Sequence, residues 1–481
     1  MKKKIAILLP ALLATCLVGC KKDKGDGKEE VHYTKVNEVL ANSRIFEVNY
    51  DKVNYEAGDE FWSKNNDNWA GGCSAVTKNI QGHRVVGRNM DLNYSNKAAY
   101  ILRTGANEKG YKTIGLAYTF RDYAMDYSEV KEKGLTDEFK DILPFLCDDV
   151  MNDQGLHVEV NMRHAEVDFS GYDQFSLEGT NPGKHRIHMF ELPRYIAEHC
   201  KTVAEAKNLV NNELDIYSKN GYWDYCFIIS DSNTDGSVQH SSLLEFSEIG
   251  ALGEIYNALP AESKRPGIDK VSAVNWIDEE DIVDIDWLRT GQTGHETYYK
   301  MNALAQTNFY INWWAFERQD VKSGEGRFIT MQKLIEDVNS KSEMYDLMRR
   351  ISYSSFYDAY DTVNDYHFDP RSENLGEGQG LTYDFLFNDD FLDIVKDIFD
   401  AAIAPQKNYN FQQKVENHMW ESTFTEVVDV TERNIEVRFF ENEDFRFKVD
   451  FNGTTKLEKL NAPDWTQSQK VSEIPLPADV D

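Results

Sequence analysis

Gly71-Gly72-Cys73-Ser74 sets a thiol behind two small residues, and Gly87-Arg88-Asn89-Met90-Asp91 follows one short hairpin later. A free thiol titrates near ~8.5 and a free α-amine near ~8. A cysteine that begins a chain therefore carries a base within reach of its own sulfur, and no separate histidine is required. Cleavage of the Gly72-Cys73 bond would create such a beginning. A guanidinium at Arg88 would then favour the thiolate, and a carboxylate at Asp91 would orient the amine in its ammonium form. The chemistry so arranged is acyl transfer to sulfur followed by hydrolysis. The same residues also have plain structural readings: a lone cysteine in a turn is commonly a small buried residue, and Arg-x-x-Asp is commonly a surface ion pair.

The surrounding pattern supplies elements that would position these groups. Cys73 to Leu92 reads as two strands around a Gln81-Gly82 turn. Thr113 to Phe120 and His157 to Met162 read as further strands, the second alternating Val158, Val160 and Met162 with Glu159, Asn161 and Arg163. Leu192 to Val210 is helical in period, with a break at Lys201-Thr202-Val203. Tyr225 to Ser230, a turn at Asp231 to Gly236, and Leu243 to Phe246 form a hairpin-like unit. Arg327 to Val338 and Glu343 to Ile351 are helical in pattern, and Thr423 to Val449 reads as consecutive strands with acidic turns. Strands, then helices, then strands predict a layered α+β body rather than alternating βαβ units.

A chain of 481 residues, 41% hydrophobic and 12% aromatic, can bury a sizeable core. Its formal charge of −30 argues against nucleic-acid partners, which require Lys and Arg to neutralise phosphate. Lys2-Lys3-Lys4, the apolar Ile5 to Val18 and Leu17-Val18-Gly19-Cys20 predict a signal peptide over 1–20. The small residues leading into Cys20 resemble a bacterial lipobox, which implies lipidation of Cys20, a membrane contact through it and a place in the bacterial cell envelope. An ordinary secretory signal cut nearby is the alternative. Residues 21–42 begin with a charged, glycine-containing run suited to a tether. Residues 43–72, with Phe46, Tyr50, Tyr55, Phe61, Trp62 and Trp69, are too aromatic for a linker and read as a prosegment packed on the body. The catalytic domain is expected over 73–465 and a peripheral tail over 466–481. Cys147, Cys200 and Cys226 have no CxxC spacing and read as buried thiols.

Taken in order, these pieces resemble the choloylglycine hydrolase and penicillin V acylase family of linear-amide C–N hydrolases, within the N-terminal-nucleophile (Ntn) superfamily. Cys73 with Arg88-Asn89-Met90-Asp91 is similar to that family's nucleophile and Arg-Asn-x-Asp strand. Met151-Asn152-Asp153-Gln154-Gly155-Leu156 through Val160-Asn161 resembles its Met-Asn-Glu-Lys-Gly-Leu turn and the strand after it. Leu192-Pro193-Arg194-Tyr195-Ile196 with Lys201 to Ala206 resembles its helices, and Phe227 to Asp231 with Leu244-Glu245-Phe246 its central hairpin. Gln306-Thr307-Asn308-Phe309 resembles its Thr-Asn segment, and Gly326-Arg327-Phe328 its later arginine. The resemblance implies a four-layer αββα sandwich of two antiparallel sheets flanked by helices, with no cofactor and no metal. It implies that Cys73 attacks an amide carbonyl, Asp91 holds its amine, Arg88 polarises the thiolate, Asn161 and Asn308 supply oxyanion-hole or amine-orienting contacts, and Arg327 supports the site. It further implies a small-molecule acyl amide as substrate and an assembly of several copies. One departure stands out: about fifty residues separate Cys20 from Cys73, so autocatalytic cleavage of Gly72-Cys73 is expected, and the sulfur should open to solvent.

Other readings remain at this level. Asp231-Ser232-Asn233-Thr234-Asp235-Gly236 resembles half a calcium loop, but its twelfth position is Ser242 rather than glutamate. His185 and His188 lack an HExxH context. A papain-like Cys/His pair would not explain Arg88 and Asp91. A non-catalytic lipoprotein binding bile acids, acyl amides or glycans is the alternative of another class. Within the enzyme class, conjugated bile salts, phenoxymethyl penicillin, N-acyl homoserine lactones and N-acyl amino acids all stay open. Asn161 tilts toward bile salts, because the penicillin acylase branch tends to carry tyrosine there.

Overall fold

The structure is a computed structural model that describes residues 33–40, 43–64, 72–92, 97–118, 124–164, 175–221, 223–232, 240–247, 250–264, 270–279, 303–308, 310–311, 325–348, 351, 421–439, 445–453 and 455–460. The leader, Cys20, most of the Asp231–Gly236 turn and the 466–481 tail lie outside these residues.

Two sheets dominate. The larger has nine strands in the order Tyr33–Glu38, Ile45–Tyr50, Ala99–Thr104, Thr113–Tyr118, Asp149–Asn152, Leu156–His164, Trp223–Asp231, Ser241–Phe246 and Val274–Asp278. The smaller has seven: Ala305–Gln306, Gly72–Ile80, His83–Leu92, Glu421–Asp429, Asn434–Phe439, Phe445–Asp450 and Lys456–Lys459. Gly72–Ile80 packs face to face on Leu156–His164, which places the strand bearing Cys73 between the layers. The Leu192–His199 helix covers the outside of the larger sheet, and the Glu325–Leu334 helix lies against Gly72–Ile80 and Ala305–Gln306. The result is the αββα order expected.

One detail differs from two antiparallel sheets: Ile45–Tyr50 runs parallel to Ala99–Thr104, with Ile45 opposite Ala99 and Tyr50 opposite Thr104. Between these two strands the chain forms the Tyr55–Lys64 helix and then the Gly72–Ile80/His83–Leu92 hairpin of the smaller sheet, a connection long enough to permit parallel pairing. Within the aromatic 43–72 stretch, Ile45–Tyr50 is thus a strand of the larger sheet and Tyr55–Lys64 a helix, while 65–71, Trp69 included, lie outside the described residues. Tyr33–Glu38, inside the stretch read as a tether, is its edge strand.

Local chemistry explains several elements. The hairpin after Cys73 turns at Gln81 (φ 53°) and Gly82 (φ 89°), the double left-handed geometry of a two-residue turn that follows the sheet's twist. Asn152 makes the next turn. Its Oδ1 accepts the Gln154 and Leu156 amides at 3.0 and 2.9 Å, and its Nδ2 donates to the Ala197 and Cys200 carbonyls at 2.7 Å each, tying the turn to the helix layer. The expected helix break is real: one helix ends at His199, and Val203–Asn212 begins under a Thr202 cap that accepts the Glu205 amide at 3.2 Å. Cys147, Cys200 and Cys226 are buried, and no disulfide joins them among the described residues. Among the described residues no helix is long and apolar enough to cross a membrane.

Candidate active site

Cross-strand pairing places Cys73 opposite Met90, Ala75 opposite Arg88, and Gly72 opposite Asp91. With a side-chain period of two, Cys73, Met90 and Arg88 share the face toward the larger sheet, while Ser74, Asn89 and Asp91 share the other. Arg-x-x-Asp is therefore no surface pair: its two ends serve opposite faces of one buried strand.

On the outer face, Arg327 gathers the site. Its Nη1 donates to the Cys73 carbonyl at 2.8 Å and to Ser74 Oγ at 2.7 Å, and lies 3.3 Å from Asp91 Oδ2. Its Nη2 donates to Asn308 Oδ1 at 2.6 Å. The same Asn308 oxygen accepts the Cys73 backbone N–H at 3.2 Å, and Asn308 Nδ2 donates to the Met162 carbonyl. Asn308 reaches this position because Ala305–Gln306 pairs with Ala75 and Val76 at the sheet edge. The resemblance gives the Cys73 nitrogen to Asp91; in the continuous chain that nitrogen is a peptide amide held by Asn308, and Asp91 lies against Arg327.

On the inner face, Cys73 Sγ sits 3.5 Å from Met90 Sδ. The thiol is buried, with 1% of its surface exposed, which corrects the expectation of a sulfur open to solvent. The reason is its place on an inner strand between two sheets. Burial pushes its pKa up to about 11, while Arg88 and a hydrogen bond from the Met162 amide pull it down and Asp91 raises it. Among the described residues its contacts include no histidine.

Asn161 lies one residue before Met162 on Leu156–His164. Its side-chain amide is buried, and neither its nitrogen nor its oxygen has a hydrogen-bond partner. A buried amide left unpaired is costly unless something else binds it.

Behind the thiol stands a cluster that sequence reading did not single out. Arg88 Nη1 donates to Asp149 Oδ2, its Nη2 donates to the Val160 carbonyl at 2.5 Å, and Glu426 Oε1 lies 3.6 Å from Nη1. His157 Nε2 is 2.8 Å from Asp149 Oδ1. His157, Glu159 and Asn161 recur at every second position, so the alternation along this strand places a polar face between the sheets. That spacing was the available signal. Burial, then Arg88, lower the His157 pKa to about 3, so its imidazole is neutral. Burial lowers the Arg88 pKa, but Cys73, Glu426, Asp148 and Glu159 outweigh it and the guanidinium stays charged.

Asp149, His157 and Glu159 could offer three metal-ligand atoms within 4.8 Å of one another. The donor set fits a cation poorly, because the Arg88 guanidinium already occupies Asp149. His188 is used structurally, its Nδ1 accepting the Phe190 amide at 3.2 Å and its ring stacking on Trp62 at 4.9 Å. Asp231 likewise accepts the Val203 and His240 amides at 2.8 and 3.2 Å.

Residues 73–239 match the sequence model described as linear amide C-N hydrolases, choloylglycine hydrolase family. A search of the curated proteins finds no match. Solved structures similar to this chain include two variants of the conjugated bile acid hydrolase from Clostridium perfringens. Each is 14% identical, covers 81% of this chain and 97% of its own, and superposes with a TM-score of 0.33. Penicillin V acylase from Agrobacterium tumefaciens is 10% identical, covering 84% of this chain and 94% of its own at a TM-score of 0.31. These superpositions are too loose to equate individual residues. The stretch that begins at Cys73 and runs through the Asn152 turn and Asn161 is thus similar to the linear amide C–N hydrolases of the choloylglycine hydrolase family.

Proposed function

We propose that the protein is an exported cysteine Ntn amidase that hydrolyses linear acyl amides, conjugated bile salt-like amides foremost. The observation that carries this reading is the convergence on Cys73: Asn308 on its nitrogen, Arg327 on its carbonyl, and the Met162 amide with Arg88 at its sulfur. In the continuous chain the thiol is neutral and covered, a latent state. Attack of the sulfur on the Gly72 carbonyl, with rupture of the Gly72-Cys73 bond and hydrolysis of the resulting thioester, would free the Cys73 amine and the Gly72 carboxylate. That amine would then take the thiol proton. The thiolate adds to the substrate carbonyl, the amide C–N bond breaks, the leaving amine takes the proton back, and water hydrolyses the acyl-thioester.

The unpaired Asn161 amide supports a role as oxyanion donor, because its Nδ2 is preorganised and otherwise unspent. Lipidation of Cys20 in a bacterial envelope belongs to the same proposal and rests on the leader sequence alone. Phenoxymethyl penicillin, N-acyl homoserine lactones and N-acyl amino acids are the rival substrates. A hydrolysis panel of the four amide types, run beside Cys73→Ser and with mass spectrometry of the Gly72-Cys73 junction, tests the proposal. Turnover by Cys73→Ser, or full activity with that peptide bond intact, would refute it.

A further inference from the structure

Three carboxylates and one guanidinium share a closed space behind Cys73. Arg88 comes from His83–Leu92, Asp149 from Asp149–Asn152, His157 and Glu159 from Leu156–His164, and Glu426 from Glu421–Asp429; all five side chains are buried. Glu426 lies directly across from Arg88, and Glu159 directly across from Asp149. One positive charge is already matched by Asp149. Both oxygens of Glu159 and both of Glu426 lack any hydrogen-bond partner. Two further buried anions without hydrogen bonds, with only the Arg88 contact of Glu426 at 3.6 Å to offset them, would carry a large desolvation penalty, so the inexpensive state of this pair is protonated.

We propose that Glu159 and Glu426 are positioning residues that hold protons around neutral pH and thereby leave the Arg88 charge directed at Cys73. This inference rests on the reading of Cys73 as the nucleophile. Burial raises both glutamate pKa values and outweighs the lowering by Arg88, and the Glu426 charge raises that of Glu159 further. The sign follows. At lower pH the pair is neutral and Arg88 stabilises the thiolate. As pH rises the pair ionises, Arg88 is progressively neutralised, and the thiolate loses that support. The groups facing Arg88 are Cys73, Asp148, Asp149, Glu159 and Glu426, with neutral His157 on Asp149. Among these, Glu159 and Glu426 have pKa values raised toward neutral pH by their burial.

The test is the pH profile of Cys73 alkylation by iodoacetamide in the active protein, with Cys73→Ser as blank, for the parent, Glu426→Gln and Glu159→Gln. Removing one ionisable carboxyl should lower the apparent thiol pKa by about one unit and raise the labelling rate up to about tenfold between the pH at which the parent pair ionises and that pKa, with no change at lower pH, where the pair is already neutral. An infrared carbonyl band of a buried protonated carboxyl should be present in the parent at neutral pH and absent from the double Gln variant. Should one Gln variant fail to fold, the other and Glu426→Asp carry the measurement. An unchanged or raised thiol pKa, absence of the protonated band, or stoichiometric metal in the purified protein would overturn the inference. Loss of turnover in Cys73→Ser reports on the nucleophile separately, so the two proposals fail independently.

Discussion

Cleavage at Gly72-Cys73 should leave the N-terminal fragment bound without a covalent link, and Trp62 is the place to break it. Its indole has 1% of its surface exposed, stacks on His188 at 4.9 Å and Phe190 at 4.8 Å, and meets Phe61 edge-on at 4.8 Å. The fragment also inserts Ile45, Phe46, Val48 and Tyr50 into the core as the parallel strand beside Ala99–Thr104. Tyr55 Oη donates to Glu198 Oε2 at 2.9 Å, and Gly58 packs so tightly against Phe145 and Glu191 that a Cβ would clash. Truncating a buried Trp to Ala costs about 3–5 kcal/mol, which corresponds to roughly a hundred-fold to a few-thousand-fold weaker association of the cleaved fragment. With an affinity tag on the fragment, gel filtration of cleaved parent protein should recover both pieces in one peak, and Trp62→Ala should release the fragment on dilution. A parent fragment that separates without denaturant, or a Trp62→Ala fragment held as tightly as the parent's, would refute the claim that this segment is integral to the fold.

Asn161→Ala should lower kcat by about 10²- to 10³-fold while KM moves little, as expected for a donor used in the transition state; steady-state kinetics on the best substrate of the panel checks this. Before cleavage, Cys73 has its pKa pushed up to about 11, so at pH 8 about one molecule in a thousand carries thiolate. Alkylation of a cleavage-blocked chain should be slow and rise as pH approaches 11, and fast labelling at neutral pH would contradict the latent state. Asn152→Ala removes four hydrogen bonds from a buried turn and should cost about 2–4 kcal/mol of stability, read as a lower urea midpoint at unchanged m-value.

The candidate site's geometry was legible in the sequence wherever it depended on local spacing. Gln81-Gly82 forced a hairpin, so Cys73 and Arg88-Asn89-Met90-Asp91 had to be neighbours; Asn152 and Gly155 forced the turn that aims Asn161. Asn308 and Arg327 came from ordered similarity, since no local rule brings a residue across more than two hundred positions to the Cys73 amide. The 43–72 segment revealed its aromatic content but not its pairing, because parallel strand partners are chosen by long-range burial rather than by any adjacent turn.

Composition and short-range pattern by themselves determined the layered α+β class, the Cys73 hairpin and the residue types that gather at it. Tertiary structure alone decided which face each of them serves. Stacking two sheets put His157, Glu159 and Asn161 in a dry interior instead of water, gave Asp91 to Arg327, and set Arg88 among three carboxylates. The physical reason is that a strand's alternation divides its residues into two sets, while the dielectric each set experiences depends on what the distant chain lays over it.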